Sequence, residues 1–161
     1  MAIRYLKIVL LICVSLLGLL FAIQNLANLE QAYASLAYVM SNQDHVAYPN
    51  SAFPAITSPL LIWAALGAVL TGEFGAGFLA AKGSWDLFAH RKASAEAFNA
   101  AKTFGVLGCG VAVITWFGLF MVIGGAYFQM WQTAIGTGSW SGSFYVAGAS
   151  ALVMIFLNME D

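Results

Sequence analysis

Charge is what this chain has least of. Asp, Glu, Lys and Arg make up 8% of its 161 residues, where soluble domains carry roughly 25%, and that scarcity excludes a water-soluble fold. Cations are missing altogether from two long stretches, residues 27–58 and 127–142. With no basic patch and no interleaved aromatics, nucleic acid is excluded as a partner. Histidine is limited to His45 and His90, both outside the apolar runs, so a b-type haem held between helices by paired histidines finds no ligands in this chain. The two cysteines, Cys13 and Cys109, lie inside apolar runs without CxxC or Cys/His spacing, and read as small buried hydrophobes. Asp44-His45 is a weak metal-site pattern at most, and polar loop residues explain it better. No Ser-His-Asp set, nucleophile elbow or carboxylate pair can be assembled, so a non-enzyme is expected.

Hydrophobic residues fill 61% of the chain, and its mean hydropathy is +0.84. This composition describes an all-α integral membrane protein with a single domain, 1–161. Four apolar runs are long enough to cross a bilayer, at about 8–26, 59–81, 103–127 and 141–157. The first follows Arg4 and Lys7, and Ala32-Tyr33-Ala34 downstream has the small-residue pattern of a signal-peptide cleavage site. Between a cleaved leader and a retained first span, the retained span is the expectation, with Gln24, Asn25 and Asn28 marking its exit from hydrocarbon. Within residues 27–58, Gln31 to Ser41 sets Tyr33, Leu36, Ala37 and Met40 on one face of a short helix near the headgroups. Pro49, Pro54 and Pro59 then hold the chain extended until Ser58 caps the second span, with Pro59 in its first turn. The segment 82–102 reads as a solvated linker with a Lys92–Glu96 pair on a helix surface. Gly136 and Gly138 read as a turn before a fourth span that barely reaches across.

All six basic residues fall in the N-terminal tail or in 82–102. By the positive-inside rule this predicts a four-helix bundle with both termini cytoplasmic, and a structured outer segment 27–58 facing segment 127–142.

The second span carries one acid, Glu73. A charge near the bilayer centre costs roughly 3 to more than 10 kcal/mol, so Glu73 must be neutral, partnered or turned toward protein. Counting depth from Lys82 and Lys102 places Ser15, Thr115 and Ser150 near its level, and a cluster of these hydroxyls around the acid is expected. The same counting sets Gly72, Gly75 and Gly77 against Gly105, Gly108 and Gly110. Both triplets read G-x-x-G-x-G inside apolar spans, which suits close antiparallel helix packing rather than phosphate binding. Trp116 and Phe117, buried within the third span, are expected to pack in the core or against lipid. Tyr127, Phe128, Trp131 and Trp140 have the composition of an outer interfacial belt.

Four local patterns, in order, are Ala55-Ile56-Thr57-Ser58-Pro59, Phe98-Asn99-Ala100-Ala101-Lys102, Tyr127-Phe128-Gln129-Met130-Trp131-Gln132 and Phe156-Leu157-Asn158. Together they resemble a bacterial family of predicted small integral membrane proteins of unknown function. The resemblance implies four helices and a bacterial inner membrane, and brings no activity. In that family histidines follow the Ile-Thr-Ser-Pro start, where this chain has Leu60, Leu61 and Trp63. The function expected is a non-catalytic accessory or scaffold subunit of a larger respiratory, photosynthetic or transport complex. The alternative is a small carrier, or a lipid- or quinone-binding protein, that uses Glu73. No cofactor is called for beyond such a bound lipid or quinone, and the partners expected are the bilayer and other membrane subunits.

Overall fold

A computed structural model describes residues 1–160; Asp161, the last residue of the expected domain, lies outside the described residues. The elements in order are α1 (Ala2–Ala27), α2 (Leu29–Met40), α3 (Pro59–Ala89), α4 (Ala95–Ala100), α5 (Thr103–Val113), a π-helical continuation (Ile114–Tyr127), a 3-10 turn (Met130–Gln132) and α6 (Ala134–Asn158). Among the described residues there is no strand. Four helical stretches there are long and apolar enough to span a bilayer: Ala2–Ala27, Pro59–Ala89, Ala95–Tyr127 and Ala134–Asn158.

The helices start where their caps allow and run further than hydropathy alone suggests. Ser58 is the N-cap residue of α3 and Pro59 follows inside its first turn, although the Ser58 hydroxyl makes no capping bond. Helix α3 then continues past Lys82 for two more turns to Ala89. Its 31 residues are about 46 Å long at ~1.5 Å per residue. Lys82 is therefore a helix residue, paired with Asp86 one turn on, its ammonium 4.9 Å from the Phe104 ring centre. Lys92 lies in the turn before α4, which begins only at Ala95, so the i,i+4 geometry expected for Lys92 and Glu96 does not arise. At the fourth span the correction is larger. The Thr133 hydroxyl accepts from Gly136 N at 3.1 Å and caps α6, so Gly136 and Gly138 lie within a helix of 25 residues and not in a turn.

Small residues set the helix contacts. A Cβ on Gly18 of α1 would stand 2.7 Å from Glu73 O and 3.0 Å from Gly77 N, so α1 and α3 meet backbone to backbone. On the other side of α3, Gly83 abuts Gly105 and Ala80 abuts Gly108, an antiparallel pairing with α5. The expected register is thus off by about one turn. It was counted from Lys82 as though α3 ended there. Gly77 faces Leu19 of α1 instead of α5, and a Cβ on Gly110 would stand 3.9 Å from Met154 Sδ of α6. A Cβ on Gly75 would meet Val111 Cγ1 at 3.5 Å, and Gly72 abuts Thr115. Around these contacts Leu11, Ala76, Ala80, Cys109, Ala112, Trp116 and Leu157 form the core. Cys13, expected to be buried, is exposed; Phe117 is exposed too, and both lie on surfaces that a bilayer would cover.

Both chain ends gather at one end of the bundle. Lys7 and Lys102 are buried, and both donate to the carbonyl of Met159, at 2.6 and 2.7 Å. Arg4 donates to the carbonyls of Arg91 and Ala93 and lies over the Phe98 ring. This basic end also holds Lys82, Lys92 and His90, while His45 and the segment 41–58 sit at the opposite, cation-free end.

Candidate functional site

Glu73 lies midway along α3, on the face toward α1, with 1% of its surface exposed. Its partner is Asn25, whose Nδ2 donates to Oε1 at 3.0 Å and to Oε2 at 2.9 Å. Two of the three hydroxyls expected around it are engaged elsewhere. Ser15 donates to the carbonyl of Gly77 at 2.9 Å, and Thr115 to that of Val111 at 2.8 Å, both of which hold helix backbone. Ser150 is buried on α6. A side chain that looked like the polar exit of the first span is instead the group that satisfies the acid. The only hint in the sequence is an Asn two residues inside the end of α1.

Beside this pair opens a half-enclosed cavity of about 400 Å³. Leu36, Val39 and Met40 of α2 wall it on one side, Ala65, Leu66 and Val69 of α3 on another, and Leu119, Phe120, Ile123 and Gly124 of the π-helical segment on a third. Asn25 reaches this wall and Glu73 does not. The fourth wall comes from Phe128, Met130, Ile135 and Ser139. Such a space, mostly apolar with a few polar atoms, falls within the 300–1,000 Å³ range of small-molecule sites.

The wide winding of the last half of the third span helps form that wall. Phe128 N donates to Ile123 O, five residues back, at 3.0 Å. Windings of this kind are rare and are found disproportionately at functional sites. The hydrophobic periodicity that locates α-helices gives no sign of it.

At the cation-free end the two segments are held together by side-chain pairing. Tyr48 N donates to Gln132 Oε1 at 2.7 Å, and Gln132 Nε2 returns a bond to Tyr48 O at 3.3 Å. Phe53 stacks on Tyr127 with ring centres 4.6 Å apart. Tyr48 meets Trp131 edge to face at 5.6 Å. Phe128 is buried with Val39, Met40, Ile62 and Met130, and Tyr33, Leu36 and Ala37 pack against that cluster. Helix α2 thus turns the face expected from its sequence inward. The aromatics Tyr127, Phe128, Trp131 and Trp140 pack within the molecule, with Trp140 against Gly125.

The loop that follows α2 is tightly turned. Asn42 and Asp44 both have positive φ, which Asn and Asp tolerate better than most residues. Tyr38 donates to Asp44 Oδ2 at 2.9 Å, and this hydrogen bond, with the adjacent negative charge, raises its phenol above the usual value. Asn42 Oδ1 and His45 Nδ1 are buried without a partner among the described residues. No group of three His, Cys, Asp or Glu side chains able to hold a metal ion occurs there.

A search of curated proteins and one of solved structures returned no match. The profile of one family, described as "Predicted small integral membrane protein (DUF2165)", matches residues 3–160. Covering nearly the whole length of a chain built from four apolar helices, that match places the protein in this family of small integral membrane proteins.

Proposed function

We propose that the protein holds an amphiphilic small molecule of the lipid or quinone class in the cavity at its cation-free end, without catalysing a reaction. One observation carries this reading: an apolar space of about 400 Å³ is bordered by the single side chain that satisfies the buried acid of the bundle. An acid used only to pin two helices does not need a neighbouring cavity. Mass spectrometry of protein extracted gently from its native membrane tests it. The unaltered chain retains a stoichiometric amphiphile, and Ala65→Trp, which fills the cavity from α3, loses it. Equal retention by both proteins refutes the reading.

A second reading, an accessory subunit of a larger membrane complex, is favoured by α6. Gly138, Gly142 and Gly148 each have open space where a Cβ would stand, and small exposed residues on a span let another helix approach closely. Substituting Leu at Gly142 then removes co-purifying subunits and leaves the isolated chain folded. For location, the proposal is a bacterial inner membrane with both termini cytoplasmic. Support comes from the gathering of all six basic residues at one end. A membrane-impermeant thiol reagent applied to cells from the outside labels Val46→Cys and not Lys92→Cys, in a chain with Cys13 and Cys109 replaced; the reverse pattern inverts the topology.

A further inference from the structure

Asn25 lines the cavity, and the hydrogen bonds it makes leave one kind of polar atom uncommitted. Its Nδ2 is committed to Glu73, at 3.0 and 2.9 Å from the two carboxyl oxygens. In a planar amide the oxygen then points away from the acid, and among the described residues no donor reaches Asn25 Oδ1. Glu73 itself is sealed behind Asn25, being 1% exposed and no part of the cavity wall. A carboxylate only accepts, so the acid acts at a distance: in its ionised form, with both oxygens accepting from Nδ2, it fixes which end of the amide is left for a ligand. A carbonyl oxygen accepts hydrogen bonds and cannot donate them. The hydroxyls of Ser35 and Ser139, at the exposed margin of the cavity, can do either and do not discriminate. The remaining wall is aliphatic and aromatic, with Leu36, Val69 and Phe120 typical of it.

We infer that the cavity selects an amphiphile whose head donates a hydrogen bond, a hydroxyl on an apolar body, over the same body with an acceptor-only head. This rests on the amphiphile-binding reading above and adds to it the polarity of the head. Two sources share the chemistry: the reduced, hydroquinone form of a quinone, and a hydroxyl-headed lipid. Opposing an acceptor-only head to Asn25 Oδ1 leaves two lone pairs facing each other without a proton. A buried acceptor without a donor is a larger penalty than a hydrogen bond is a gain, which is how a site rejects an analogue of the same shape.

The test uses the full chain in lipid nanodiscs, titrated calorimetrically with two matched pairs and with empty nanodiscs as the blank. One pair is dodecylhydroquinone and dodecylbenzoquinone; the other is dodecanol and its methyl ether. The hydroxyl member binds at least about tenfold more tightly in one or both pairs. Preference in the first pair identifies a redox carrier, and preference in the second a lipid. In Glu73→Gln the new side chain can donate to Asn25 Oδ1 as readily as it accepts from Nδ2, so the Asn25 amide can turn over. The ratio then falls toward one while binding persists. A quinone and an ether that bind as tightly as their partners overturn the inference, as does a Glu73→Gln protein that keeps the full preference. If none of the four compounds binds, the amphiphile-binding reading itself fails. The first contrast is read on the unaltered chain, so a variant that does not fold leaves the test decisive.

Discussion

Replacing Gly18 with alanine adds a single methyl group and probes the backbone-to-backbone contact between α1 and α3. The new Cβ would lie 2.7 Å from Glu73 O, 3.0 Å from Gly77 N and 3.2 Å from Gly77 Cα. All three neighbours are backbone, so no rotamer change relieves the clash. Restoring ordinary contact near 3.4 Å moves the helices apart by about 0.7 Å. A radial gap of 0.5–1 Å forfeits roughly a quarter to a half of each dispersion well along the seam. The bond from Ser15 to the Gly77 carbonyl, now 2.9 Å, stretches toward the limit at which it counts as one. Overpacking of this kind typically costs about 1–3 kcal/mol. Gly148→Ala is the matched control: nothing lies within 4 Å of its Cβ position, and a helix-interior Gly→Ala change there gains about 0.5–1 kcal/mol. That gain is common to both helix-interior positions, so the two variants should differ by the overpacking cost alone, about 1–3 kcal/mol, in reversible unfolding measured in bicelles. Equal stability of the two proteins, or a Gly18→Ala protein more stable than the unaltered chain, refutes the backbone contact.

Three further expectations follow from named contacts. In a chain with Cys13 and Cys109 replaced by Ala, Gly75→Cys with Val111→Cys cross-links on mild oxidation, because a Cβ on Gly75 would meet Val111 Cγ1 at 3.5 Å; Gly77→Cys with Leu107→Cys does not, and cross-linking of that second pair alone restores the register counted from the lysines. A double-mutant cycle of Asn25→Ala and Glu73→Leu, neither of which can keep the pair's hydrogen bonds, yields a favourable coupling of about 0.6–1.7 kcal/mol, the range for interhelical hydrogen bonds in a bilayer; additive effects contradict the pairing. Gln132→Ala removes both bonds to Tyr48, so amide exchange across residues 46–56 accelerates while exchange in α1 is unchanged; no acceleration would mean that the aromatic contacts alone hold the segment.

What could be seen in the sequence was one-dimensional. Apolar run length and the position of Arg4, Lys7, Arg91 and Lys92 along the chain are enough to count the spans and to put His45 and His90 at opposite ends. The inward face of α2 was equally visible, since Tyr33, Leu36, Ala37 and Met40 recur at helical spacing. What failed depended on where helices stop. Lys82 was taken as the edge of a span, yet a long side chain can sit over Phe104 and reach Asp86 while its helix continues. Ser15 and Thr115 do lie near the level of Glu73, but depth along a span does not give the rotation of a helix, so their hydroxyls turn to backbone carbonyls and Gly77 turns to α1. Gly136 was read as a turn because glycine has two uses, and only the close approach of the Met130 carbonyl shows which applies here. Gly18 and Gly83, two of the tightest contacts, stand outside any repeated glycine pattern. Nor does the sequence mark the burial of Lys7 and Lys102, which depends on where the Met159 carbonyl arrives.

The functional account turns on whether the space next to Asn25 is occupied by a ligand in preference to the lipid-facing surface. Photoaffinity labelling with a diazirine-tailed, hydroxyl-headed amphiphile, mapped by peptide mass spectrometry, measures this directly. Adducts concentrated on Leu36, Met40, Phe120 and Ile123, and displaced by excess unlabelled compound, are the predicted result. Adducts spread evenly over exposed positions such as Leu60 and Leu152, insensitive to competition, would contradict it.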